Sequence, residues 1–490
     1  MLSIRQLILR VSAASAVICL TAATPRLLLA QNATALAPVV IPTSPVSVSG
    51  ELGTQSQYLG SVPTGKPTDT VIPLSLSEAL DRGLKSNLGA IESDIRTRTA
   101  RAERLKSLSD LLPNVNAAIS QTAEQVNLRA LGLKIPVPGF PVVVGPFGVE
   151  DARAYWSQRI FDWNAVQKLR ASQKNLQASN YSYKDSRDLV VLAVANAYLQ
   201  LVADQATIES QKAQLETSRA LYQRAQDQTR AGVAARIDEL RADVELQTQH
   251  QRLIAAQDQS AKDALSLART IGLPPGQEFM LTDSVPYSPL QGVTVEQALQ
   301  QAYVNRPDYL SAQLSVQAAE YSRKASKAEN YPSISSQVDY GDIGPNFANS
   351  HGTLTATASL NIPIFQGTRV RGDVLEADAT LQQRRAEMED LRGRIDQDVR
   401  SAFLDLDAAA ELVNVAAHNK DLARETLSEA QDRFASGVTD NIEVVQAQES
   451  VSAADQAYIS SLYTYNIAKV QLARATGIAE QAVKAYLGGQ

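Results

Sequence analysis

The side chains able to make or break bonds are few in this sequence, and they are scattered. Its three histidines, His250, His351 and His418, lie far apart, with no HExxH pattern and no cysteine beside them. Neither a metal-activated water nor a nucleophile–base pair is encoded. Gly60 to Lys66 has the spacing of a phosphate-binding loop, but Pro67 stands where a hydroxyl residue is required and no strand–helix context surrounds it. The chain therefore reads as a non-enzyme with no cofactor and no metal. What it does concentrate is charge at two turns. Asp227, Arg230 and Asp238 surround Gly232 and Val233, while Asp432, Asp440 and Glu443 surround Gly437 and Val438. Carboxylates gathered this way do no covalent chemistry, but repeated around a ring they would favour cations.

These turns end very long helices. From Trp163 to Thr229 there is no proline or glycine, and Leu201, Ile208, Leu215 and Tyr222 recur every seven residues, the pattern of a coiled-coil seam. About 67 helical residues make a rod of roughly 100 Å, which must pack against other rods. A shorter helix returns over 237–271. The whole arrangement occurs twice. Shifted by 205 positions, Ala197, Leu199 and Leu201 fall on Ala402, Leu404 and Leu406, Gly232-Val233 falls on Gly437-Val438, and Gly272 falls on Gly477, without a gap. That is an internal duplication.

The remaining segments order themselves around it. Residues 1–30 carry Arg5 and Arg10 ahead of an apolar run and read as a secretory signal. Cys19, the only cysteine, is a candidate lipid-attachment site, although Ile18 precedes it where a small residue is needed. Residues 31–75 form an irregular arm. Repeat 1 spans 76–272 and repeat 2 spans 295–477, separated by a crossing segment at 273–294 and followed by a tail at 478–490. Each repeat opens with a helix of about 36 residues, over 76–111 with Ser77 as N-cap and over 295–330. These should stack end to end with the returning helices beside the long rods. Low aromatic content (5%) fits long helices. A net charge of −6 with no basic block argues against nucleic acid.

Between the opening and long helices of each repeat lies a hairpin, at about 114–160 and 333–364. In the second, Leu354, Ala356, Ala358, Leu360, Ile362 and Ile364 alternate with Thr353, Thr355, Thr357, Ser359 and Asn361; in the first, Ala152, Ala154, Trp156 and Ile160 oppose Asp151, Arg153, Tyr155, Ser157 and Arg159. Apolar-out, polar-in alternation over some ten residues is the signature of a transmembrane β-strand, so Leu354, Ala356, Ala358, Leu360, Ile362 and Trp156 are expected to face lipid. The first hairpin is longer, with a surplus at 126–150 that Pro136, Pro138, Pro141 and Pro146 should keep irregular. Phe161, Trp163 and Phe365 near the strand ends suit an interfacial belt. Four strands cannot close a barrel and lipid does not tolerate an open edge. Three copies would give twelve strands and a lumen continuous with a helical tube, whereas two would give an eight-stranded, side-chain-filled barrel.

From about residue 76 to 477 the chain resembles the TolC-like outer-membrane efflux proteins. The most specific match is Arg230-Ala231-Gly232 with Asp238, repeated as Gly437 with Glu443, the second copy lacking the arginine. The resemblance implies a mainly α fold with transmembrane β, in which an α-helical barrel of coiled-coil hairpins is continuous with a trimeric twelve-stranded outer-membrane β-barrel, four strands per chain. It further implies a homotrimeric passive conduit in the outer membrane, extending into the periplasm. Its tips (Gly232, Val233, Gly437, Val438) dock a periplasmic membrane-fusion adaptor and, through it, an inner-membrane pump or ABC transporter. The rival reading is a periplasmic coiled-coil scaffold without a pore.

Overall fold

The computed structural model describes residues 56–132, 139–283, 287–290, 294–436, 438 and 441–486. The expected signal, Cys19, the arm up to residue 55, Gly437 and Asp440 lie outside these. The chain divides into residues 1–50 and 51–490, and every element below belongs to the second unit. In chain order these are β1 (Ile72–Leu74), α1 (Leu76–Ser86), α2 (Leu88–Ser109), β2 (Asn114–Asn127), β3 (Val143–Phe161), α3 (Trp163–Arg230), α4 (Arg236–Ile271), β4 (Phe279–Leu281), α5 (Val295–Asn305), α6 (Pro307–Ala328), β5 (Ser333–Gly344), β6 (His351–Asn361), α7 (Arg369–Ala435), α8 (Asn441–Ala475) and α9 (Ala479–Tyr486).

The two long rods are present as α3, with 68 residues, and α7, with 67. Asp162 starts α3 by accepting the Ala165 amide at 3.1 Å, which satisfies one of the free donors of the first turn. The other helices arrange themselves around these rods. On one side of α3 lie α2 and α4; on the other lie α6 and α8, which also pack against α7. Each chain thus forms four columns in the order α2/α4, α3, α6/α8, α7. The strands follow the same order, β2-β3-β5-β6, all antiparallel. Each strand directly follows or precedes the upper helix of its own column.

The main core lies at the middle of the rods. Residues 190–195, Tyr198, Leu199 and Leu201 of α3 are buried against Leu76 and Leu80 of α1, Leu267 and Ile271 of α4, and Ala479 and Val483 of α9. The stretch of α3 apolar enough to cross a bilayer is therefore a packing surface in this fold. A second core repeats the theme around Ile395, Val399 and Leu406 of α7.

Three expectations need correction. The opening helices are not continuous. The first breaks at Asn87, which takes an extended backbone and caps α2 through the Gly89 amide at 2.9 Å. The second breaks at Arg306, because Pro307 disfavours a helical conformation in the residue before it. Only the 22-residue α2 and α6 therefore share columns with α4 and α8, while α1 and α5 belong to the central cores. The N-cap of α1 is Ser75, which accepts the Glu78 amide at 3.2 Å, in place of Ser77. Finally, the arm is not wholly irregular, since β1 pairs in parallel with β4; the tail at 478–490 contains α9.

The loop-like stretch from Gly60 to Lys66 straps this region together. The Val62 amide donates to the Ser86 carbonyl at 2.9 Å and the Thr64 amide to the Gly272 carbonyl at 3.2 Å. Those amides are engaged by carbonyls and do not form a phosphate cradle.

The returning helices both end on glycine at φ +74°, Gly272 and Gly477, and both press on the break in an opening helix. A Cβ on Gly272 would meet the Ser86 Cβ at 2.4 Å; one on Gly477 would lie 2.7 Å from the Arg306 Cα and N. Gly477→Ala should therefore cost at least ~1–2 kcal/mol from the left-handed backbone alone. Gly393→Ala, inside α7 where an added Cβ meets nothing within 4 Å, should gain about 0.5–1 kcal/mol. Denaturant unfolding midpoints that move the same way for both variants would contradict this packing.

Candidate functional site

The four-stranded sheet separates its side chains by chemistry. Cross-strand partners share a face, and the register aligns Val115, Trp156, Val338 and Ala356 in one row and Ala117, Ala154, Tyr340 and Leu354 in another. Ile334 and Leu360, and Ser336 and Ala358, continue this face. The opposite face carries Asn116, Tyr155, Asp339 and Thr355, then Asn114, Ser157, Gln337 and Thr357. Leu354 and Leu360 are exposed on the apolar face of a single chain.

Three residues, Ile160, Ile362 and Ile364, depart from the alternation read in the sequence. A register shift between Arg159 and Phe161 places Phe161, in place of Ile160, opposite Ile334, because a bulge inserts one residue and reverses the phase. Ile362 and Ile364 lie beyond the end of β6 at Asn361. Pro146 does not keep the surplus irregular. It falls within β3 where that strand pairs with β2 alone, beside the register shift at Glu124 and Val126, and an edge or bulge is where a strand accepts proline.

At the far ends of α3 and α7 lie the charged turns. Gly232 takes φ +74°; its amide donates to the Thr229 carbonyl and that of Val233 to the Gln228 carbonyl, at 3.1 and 3.0 Å. These bonds satisfy the last carbonyls of the helix. The second turn matches it, with the Val438 amide on the Arg433 carbonyl at 3.0 Å. Val233 and Val438 are exposed.

The structure pairs the turn charges locally. Arg230 lies 3.9 Å from Asp227, both well exposed; Arg241 lies 3.5 Å from Asp238; Arg433 lies 2.9 Å from Glu443. Arg230 is therefore brought to Asp227 and not to Asp238 within one chain. Sequence comparison of the repeats missed Arg433, which stands two positions before the site corresponding to Arg230 and supplies the guanidinium of the second turn. Asp238 and Glu443 each fall in the first turn of a helix, where the macrodipole favours an acid.

The seam joining the helices towards these turns is less apolar than its heptads suggest. Leu201 and Leu215 are buried, but so are Gln211, Gln214, Ser218, Gln249 and Gln448. The Gln448 amide donates to the Ser218 hydroxyl and to the Gln214 carbonyl. Asp455 joins three rods, accepting from Ser210 of α3 and Arg424 of α7, both at 3.2 Å.

At mid-rod an ion network ties α3, α6, α7, α8 and α9. Arg306 is nearly buried and reaches Asp308 at 2.7 Å and Asp398 at 2.9 Å. Burial works to raise the Asp308 pKa, but the Arg306 guanidinium outweighs it and holds the carboxyl below its usual range. Arg474 bonds Asp185, whose carboxyl is nonetheless pushed up by burial. Asp188 accepts the Glu480 amide at the start of α9, at 3.3 Å, and burial raises it to about 6. The Lys469 ammonium meets the Tyr486 carbonyl at 2.9 Å at the other end of α9; burial lowers it to about 8.

Residues 92–273 and 298–478 each match the outer membrane efflux protein family, so the match occurs twice, once in each repeat. The toluene efflux pump outer membrane protein TtgC of Pseudomonas putida is 24% identical, over 82% of this chain and 83% of its own length. The alkaline protease secretion protein AprF of Pseudomonas aeruginosa is 21% identical, over 66% and 69%. Among solved structures, the CmeC outer membrane channel of Campylobacter jejuni shares the fold with a TM-score of 0.73 at 16% identity, over 88% of this chain and 95% of CmeC.

The buried Asp188 gives this geometry a pH signature. Its folded pKa of about 6 exceeds the ordinary 3.8, so its stabilising contribution is fully present below the unfolded value and is lost as pH rises through about 6. Asp188→Asn keeps the acceptor for α9 and removes the charge. At pH 7.5 it should raise stability by on the order of 2 kcal/mol. It should also flatten part of the fall in apparent Tm between pH 5 and 7. Asp204, which burial, with Asp263 adding to it, also holds near 6, and Asp185, likewise raised by burial, contribute to the remainder. An unchanged slope would mean Asp188 is solvated.

Proposed function

The chain belongs to the outer membrane efflux protein family, and from that premise we propose that it is the outer-membrane channel subunit of a tripartite efflux pump or a type I secretion system. The observation that carries the proposal is the sheet, apolar on one face, polar on the other and, among the described residues, unpaired at the outer edges of β2 and β6. The apolar face meets lipid and the polar face lines water. Three copies join β6 of one to β2 of the next, giving twelve strands. The column order carries the same closure downwards, α7 of one copy meeting α2 and α4 of the next, in a tube of twelve columns. Both surfaces are prepared for it: Leu240, Val244, Ile254 and Leu265 of α4, and Leu404, Leu412, Val415 and Leu422 of α7, are exposed in a single chain.

Transport through such a tube is passive. Residues 1–30 direct export and are removed. Gly232, Val233, Gly437 and Val438 form the periplasmic tips, where an adaptor docks and brings the inner-membrane pump or ABC transporter that supplies energy. Asp227, Arg230, Asp238, Asp432, Asp440 and Glu443 surround the constriction there. The names of TtgC, an efflux pump component, and AprF, a secretion component, support both systems as settings. A periplasmic scaffold without a pore would leave the apolar face of the sheet in water.

Purified protein in planar lipid bilayers should give discrete conductance steps; membrane-bound protein that never conducts would contradict the channel. The faces are tested separately. Leu360→Arg should hinder outer-membrane assembly, because a lipid-facing arginine near the midplane costs ~2–4 kcal/mol, while Thr357→Arg should assemble normally. Equal behaviour of the two would contradict the assignment of faces.

A further inference from the structure

We propose that Arg153, held between Asp151 and Asp339, sets the charge preference of the pore within the barrel. The inference rests on the channel reading above and adds where its electrostatic selection is made.

The placement follows from the register. Arg153 stands directly across from Gly341 on β5, so no side chain blocks its path along that strand. A Cβ on Gly341 would lie 2.1 Å from the Ala152 carbonyl oxygen, so nothing larger fits this crossing. The guanidinium therefore lies over the seam between the two repeats. Its Nε donates to Asp151 at 2.7 Å, its Nη1 reaches Asp339 at 3.2 Å, and it covers the Tyr155 ring at 5.4 Å. All three ionised side chains are about one-fifth exposed, so they are fixed in place and still open to the water on that face.

Two carboxylates share one guanidinium, leaving one net negative charge per chain at this level. Among the described residues of the four strands, the other acidic and basic side chains on the polar face are Glu124 and His351, towards the outer end, and Arg159, which pairs with Asp162 at 3.2 Å. At the exposed tips, three of the acids, Asp227, Asp238 and Glu443, are each offset by an arginine of their own. Threefold repetition of the Arg153 site places a net negative ring inside a low-dielectric wall, where charge acts on permeating ions more strongly than at an exposed helix end.

Channels in planar bilayers under a KCl gradient provide the test, through the potassium-to-chloride permeability ratio. Arg153→Gln doubles the uncompensated charge and should raise the ratio about twofold or more. Asp339→Asn leaves Arg153 paired only with Asp151 and should lower it by a similar factor, while Arg153→Lys, which keeps the charge, should stay near the wild type. Thr355→Lys, across from Asp339 on exposed β6, should lower the ratio wherever this face lines the lumen. If Thr355→Lys shifts the ratio but Asp339→Asn and Arg153→Gln do not, the assignment to Arg153 falls and the channel reading stands. If Arg153→Gln fails to assemble, Asp339→Asn alone decides. Wild-type protein that forms no channels would remove the channel reading itself.

Discussion

The backbone amide and carbonyl groups along the outer edges of β2 and β6 govern this architecture. In water such an edge is tolerable; in hydrocarbon each unpaired group costs several kcal/mol. Four strands with one apolar face cannot be at once membrane-embedded and complete. On the proposed channel reading the partner is another copy of the same sheet, whose edges, length and face chemistry match. Closure at the membrane then dictates closure below it, because sheet order and column order are the same. A chain that pairs β6 with a neighbouring β2 brings its α7 beside the neighbour's α2 and α4, which carry exposed apolar side chains.

Duplication explains how one chain supplies two of everything, and the middle of the rods shows where the copies diverged. Asn87 and Arg306 occupy equivalent breaks. The first is satisfied by amide bonds to backbone, its Nδ2 donating to the Tyr58 carbonyl at 2.6 Å. The second is satisfied by carboxylates. Both breaks abut a glycine that ends a returning helix, so the junction geometry is kept while its chemistry differs. A buried arginine that lost both Asp308 and Asp398 would be left with unmatched charge, which is far more damaging than the pairing is stabilising. The second break is therefore the less forgiving of the two.

Much of this was legible in the sequence. The rods, their turns, the repeat and the strand alternation are periodic signals, and periodicity survives without knowledge of neighbours. The helix break at Arg306 was also legible, since Pro307 marks it, but a strong helical pattern on both sides masked it. Asn87 carried only a weak cap signal. The reversal of phase at Phe161 was not legible, because a bulge is fixed by pairing with β5 and leaves no composition behind. Nor was the polar seam of Gln214, Gln249 and Gln448, since glutamine on a helix reads as solvent-facing until the opposite helix is in place. The turn acids were found, but their arginines come from spacing in three dimensions, and Arg433 was overlooked for that reason.

The central claim is that open edges force a closed assembly of three chains. Native mass measurement of the complex extracted from the outer membrane in detergent tests it directly. The account predicts a single species of three mature chains, with no larger series. A monodisperse single chain with its sheet intact, or a stable pair, would contradict it.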